Sequence, residues 1–129
     1  MIKDGIFAMY KGKEYEAGVN ADRSYILLSH DSNDLENGFG LDKRDEVYVK
    51  IVQRSELDEV YKITAYAEYK TFKFIVIKED KKSLLLFSLI NDYKINQSLG
   101  FDMIDKGVYQ KWIAKNDVTS INIEKTPWP

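Results

Sequence analysis

From Lys13 to Val19 the side chains alternate, with Tyr15, Ala17 and Val19 on one face and Glu14, Glu16 and Gly18 on the other. A period of two is the spacing of a strand with one buried and one wet side. Shorter apolar runs flank it at Phe7–Tyr10 and Tyr25–Leu28, both too short for a core helix. The same succession returns at Tyr66–Tyr69, Phe72–Lys78 and Leu84–Phe87. There Phe72–Lys78 is apolar on both faces, the pattern of a strand covered on each side. Val47–Gln53 and Val108–Ala114 supply a fourth strand to each series, and Val60–Ile63 and Ser120–Glu124 a last one. Between the last two strands, Ser55–Asp58 and Asn116–Thr119 place Ser or Asn before an acid, a cap for a single helical turn. Long loops, 30–46 and 89–107, separate the third and fourth strands. The first is rich in Asp, Asn, Ser and Gly, which bend chains.

The two series are copies. Ala8, Tyr10, Lys11, Ser24, Leu27 and Ser29 fall on Ala67, Tyr69, Lys70, Ser83, Leu86 and Ser88 without a gap. With one-residue insertions, Gly40, Asp42, Asp45, Tyr48 and Lys50 fall on Gly100, Asp102, Asp105, Tyr109 and Lys111. Internal repetition fixes the organisation as two similar units in tandem, residues 1–63 and 64–129. No Gly/Ser linker separates them, so the last strand of the first copy is expected to run almost directly into the first strand of the second.

The order hairpin, strand, long loop, strand, one helical turn, strand resembles the SH3-like barrel. The segments that carry the likeness are Val47–Ile63 and Val108–Glu124. The resemblance implies an all-β fold of two tandem, five-stranded SH3-like barrels related by internal duplication, with short single-turn helices only. It also implies a docking module rather than an enzyme, although fold alone does not set function.

Composition narrows the setting. Seventeen aromatics, nine of them Tyr, suit pleated, half-buried surfaces. There is no cysteine, which excludes disulfides and thiolate metal sites and points to the cytoplasm. No apolar run reaches the length of a membrane span, and the first residues lack the apolar core of a signal peptide. The net charge of −2 is shared unevenly, −4 over residues 1–63 and +2 over residues 64–129.

Catalytic chemistry finds no constellation. His30 is the only histidine and has no nucleophile motif around it. Asp31, Asp34 and Glu36 lack the spacing of a calcium loop, so neither metal nor cofactor is expected. Tyr and Lys on one barrel face could stack on bases, which makes nucleic-acid or ribosome association the alternative reading. However, Glu14, Glu16 and Glu68 interrupt the cations Lys11, Lys13, Lys70 and Lys73. The stronger signal is loop 30–46, where six acids face two cations. An acidic loop steers cationic partners.

Small, acidic, cysteine-free, Tyr- and Asp/Asn-rich chains of this kind resemble the immunity proteins that neutralise bacterial polymorphic toxins, through Lys11–Gly18 and Val47–Ile63. The resemblance implies a protein partner, a toxin domain with a basic face. The expected contact residues are Asp31, Asp34, Glu36 and Asp42, with Phe39 as an apolar anchor and Tyr48 beside them. No catalytic or metal-binding residue is expected, and no membrane contact.

Overall fold

The computed structural model describes residues 2–128 and is all-β, with one short α-helix and three 3-10 turns. The chain divides into two compact units. Residues 5–63 form the first together with 125–128, and residues 64–124 form the second together with 2–4. The boundary between the units falls at 63/64, and each end of the chain groups with the opposite copy.

In the first unit β1 (Gly5–Tyr10), β2 (Lys13–Val19) and β3 (Tyr25–Ser29) form an antiparallel meander. After a 3-10 segment (Ser32–Asn37), β4 (Gly40–Asp42) and β5 (Val47–Val52) follow. A single 3-10 turn (Arg54–Glu56) leads to β6 (Glu59–Tyr69). The pairing runs β4-β5-β3-β2-β1-β6, an open path of six strands rather than the expected five. The extra strand, β4, lies inside the segment read from sequence as loop.

β6 continues into the second unit, as the missing linker suggested. There β7 (Phe72–Glu79), β8 (Ser83–Ser88), α1 (Tyr93–Ser98), β9 (Asp102–Asp105) and β10 (Val108–Ala114) repeat the order. A 3-10 turn (Lys115–Asp117) then leads to β11 (Ser120–Pro127), which pairs with β6.

Registers repeat with the sequence. Ala8 faces Tyr15 as Ala67 faces Phe74, and Leu27 faces Lys50 as Leu86 faces Lys111. Each core is built on three rings. Tyr15 lies 6.4 Å from Tyr10 and stacks on Phe39 at 5.0 Å. Phe74 lies 6.3 Å from Tyr69 and stacks on Phe101 at 4.7 Å. Phe39 and Phe101 are thus equivalent, and so are Gly38 and Gly100, both left-handed at φ 89 and 80. This corrects the sequence register, which had matched Gly40 with Gly100 and Asp42 with Asp102.

The first hairpin of each unit turns on two residues at positive φ, Lys11-Gly12 in one and Lys70-Thr71 in the other. Glycine accepts that backbone freely, whereas β-branched Thr71 at φ 70 is strained. Replacing Thr71 with Gly should therefore raise stability by about 1 kcal/mol. Urea denaturation checks this, and an unchanged or lower midpoint would show that Thr71 is not strained.

Candidate functional site

The acidic loop is shaped from below by one of its own acids. Asp31 caps the 3-10 segment, its carboxylate accepting from the Asn33 N–H at 2.9 Å. Gly38 closes the segment in the left-handed conformation and donates its N–H to the carbonyl of Leu35. Between these ends Asp34 turns inward and is fully buried. Four side chains from three elements donate to its carboxylate. Lys13 Nζ (2.9 Å) and the Tyr15 hydroxyl (2.7 Å) come from one face of β2. Ser29 Oγ (2.5 Å) comes from the end of β3, and Asn37 Nδ2 (2.9 Å) from the segment itself.

Burial alone would push the Asp34 carboxyl up. The bonds from Ser29, Asn37, Lys13 and Tyr15 outweigh it and hold the carboxyl well below its ordinary value of 3.8. Burial first, and then its bond to Asp34, raises the Tyr15 hydroxyl to about 12, so it stays a neutral donor. The bond to Asp34 raises the Lys13 ammonium, which remains charged.

The second unit keeps the geometry without the charge. The backbone carbonyl of Asp34 accepts from Phe39 N–H, and that of Asn96 accepts from Phe101 N–H in the same way. By position in the repeat, Phe72, Phe74 and Leu99 replace Lys13, Tyr15 and Asn37, and Asn96 replaces Asp34. Asn96 donates to the carbonyls of Ile90 and Asp92 at 2.9 Å each, while its buried Oδ1 has no partner. Only one unit therefore carries an ionised loop anchor.

The six residues expected to meet a partner separate into two groups. Asp34 and Phe39 are buried, one as the carboxylate hub and the other stacked on Tyr15, so neither presents itself to a partner. Tyr48 is half-buried against the same core. Asp31 and Glu36 are exposed, and half-buried Asp42 accepts from the Arg44 N–H at 3.0 Å. Sequence reasoning missed Leu35 and Leu41, which are 51% and 50% exposed beside those acids. It also missed the donors Lys13, Tyr15, Ser29 and Asn37. The alternation placing Lys13 and Tyr15 on one face was visible, and so was the matching apolar pair Phe72 and Phe74.

His30 is exposed, and no group of three or more His, Cys, Asp or Glu able to hold a metal occurs among the described residues. No helix among them is long and apolar enough to cross a membrane.

Fold and loop together define a class: an all-β chain of two duplicated units, one of which carries an acidic loop pinned by a buried carboxylate. Residues 2–129 match the family described as Uncharacterised conserved protein UCP033725, and the chain belongs to that family. No curated protein and no solved structure matches it.

Two outcomes follow for the hub. Tyr15→Phe should cost about 1 kcal/mol and Asp34→Asn about 2 kcal/mol of stability. The double variant, which imitates Phe74 and Asn96, should cost clearly less than their sum, because Tyr15→Phe removes the shared bond and Asp34→Asn already strips it of its charge. Strict additivity in chemical denaturation would show that the two groups do not interact. The second outcome concerns pH. A carboxyl depressed in the folded state adds stability that is complete above its unfolded value, 3.8, and disappears as pH falls below it. Stability of the parent chain should accordingly fall more steeply below pH 5 than that of Asp34→Asn, and parallel curves would contradict the depressed carboxyl.

Proposed function

We propose that this chain is a non-enzymatic binding protein that docks a cationic protein partner through loop 30–46. The observation that carries the reading is the split within one helical segment. Asp34 is buried and clamped, while its neighbours Leu35 and Glu36 point outward. A loop fixed by its own buried anchor needs little ordering on binding, which lowers the entropic cost of association. Asp31, Glu36 and Asp42 then offer charge around the exposed Leu35 and Leu41. Apolar anchors ringed by acids suit a partner with a basic face, giving fast, steered encounter and a slow release. An immunity-type inhibitor of a basic toxin domain has these requirements.

The SH3-like reading of each unit belongs to the same proposal. In the first unit β5 pairs with β3, and one 3-10 turn later β6 pairs with β1, returning the ladder to its opening strand. β10, the turn at Lys115–Asp117 and β11 follow the same course, since β10 pairs with β8 and β11 with β6. A last strand broken by one 3-10 turn is the grammar of that barrel. Base stacking draws less support, because Tyr10, Tyr15 and Tyr69 are buried.

A photo-reactive residue placed at Leu35 or Leu41 in the native host should give one dominant protein adduct. The same probe at Ile104, exposed in the other unit, should give none. Asp31→Lys with Glu36→Lys should weaken that complex by about 2 kcal/mol at low salt and flatten its salt dependence. Absence of an adduct at both loop positions, or unchanged affinity and salt slope in the double reversal, would remove the loop from the interface.

A further inference from the structure

The three outer strands differ in how their free edges are protected. β4 is only three residues long and ends in Asp42. β9 (Asp102–Asp105) begins and ends with an acid, so pairing with its own antiparallel copy would set acid against acid. β11 has neither safeguard. It is exposed along all eight residues, and residues 120–123 (Ser-Ile-Asn-Ile) carry no charge. Ile121 and Ile123 are 42% and 51% exposed. The equivalent strand of the first unit is covered: Val60, the counterpart of Ile121, is 3% exposed, and Trp128 donates its N–H to the Val60 carbonyl at 3.0 Å.

That bond also gives the direction of the unpaired groups. Trp128 faces β6, so residues two apart, 126, 124, 122 and 120, face it too, and the N–H and C=O groups of Ile121, Ile123 and Lys125 point away. The Thr119 N–H bond to the Glu68 carbonyl is an irregularity at the strand's start, as the Asp58 N–H bond to Met9 is beside the Met9–Glu59 pair of the first unit. Pro127 falls in the outward set and has no N–H, which ends any further pairing there.

We propose that β11 is a homodimerisation edge, pairing antiparallel with β11 of a second copy about a two-fold axis at Asn122. In that register Ile121 lies opposite Ile123 of the second copy in both directions, and each pair exchanges backbone hydrogen bonds. Four isoleucines gather on one face. Glu124 lies opposite Ser120, and no like charges meet. A second copy is favoured over another extended peptide because the segment is its own complement in both side-chain character and hydrogen-bond phase. The small net charge of −2 adds little repulsion between copies.

The register makes Asn122 a non-hydrogen-bonded pair with itself, at about 4.5 Å between Cα atoms, a separation that a disulfide spans. In a chain without cysteine, Asn122→Cys gives a single reporter. Under mild oxidation the full-length variant should form a covalent dimer rapidly and almost completely, whereas Asp105→Cys on the other edge should react slowly. The parent chain should sediment, from micromolar to near-millimolar concentration, with a mass rising from 15.0 kDa toward twice that value. Ile123→Lys should hold it at the monomer mass while its circular dichroism and thermal unfolding stay unchanged. A parent chain monomeric at every concentration, equal cross-linking at positions 122 and 105, or a folded Ile123→Lys that still dimerises would each overturn the proposal.

Discussion

An ionised carboxylate cut off from water costs several kcal/mol unless protein groups replace its hydration. Asp34 obtains that replacement from Lys13, Tyr15, Ser29 and Asn37. Hydrogen bonds to a charged group are each worth about 1.5–3 kcal/mol, enough to keep it ionised. The consequence reaches beyond stability. The donors come from β2, β3 and the loop's own helical segment, so satisfying one acid fixes where the segment sits. The orientation of Asp31, Leu35 and Glu36 follows from that placement. A loop rich in Asp, Asn and Gly would otherwise sample many shapes.

Duplication provides an internal control. Both units keep the same three-ring core, the left-handed glycine before the third ring, and a lysine, Lys50 or Lys111, whose ammonium lies against that glycine. They differ in what fills the space under the loop. One unit uses charge and four donors; the other has a neutral amide, Asn96, with Phe74 and Leu99 buried in the core of its unit. Replacing a polar network with well-packed apolar groups is often neutral for stability. What the charged version adds is a fixed placement of the acidic loop above it. The last strands diverge as well, since the strand holding Val60 is flanked on its second side and β11 is not.

Elements whose signal lies in local alternation were legible. The period of two at Lys13–Val19, the short apolar runs, the turns before each last strand and the unbroken passage into β6 all follow from neighbouring residues. The turns begin at Arg54 and Lys115, one residue before the expected Ser55 and Asn116. Features that depend on distant residues were hidden. β4 and β9 are short and end in an acid, and only their pairing with β5 and β10 makes them strands. The loop register slipped because Gly-Phe at 38–39 and 100–101 had to be weighed against a competing Gly and Asp match. Asp34 read as one more surface acid, because nothing in its own neighbourhood reveals Lys13 and Tyr15 about twenty residues away. Phe39 looked like an exposed anchor for the same reason, while Leu35 and Leu41 passed as ordinary loop residues.

The state of the Asp34 carboxyl is the most direct check on this account. A carbon-13 NMR titration that follows each aspartate side chain reads it without a binding partner and without mutation. The Asp34 resonance should stay at its ionised position as pH falls from neutral past 3.8. An Asp34 inflection at or above 3.8 would mean that the carboxylate is not held as described, and the loop would lose its anchor.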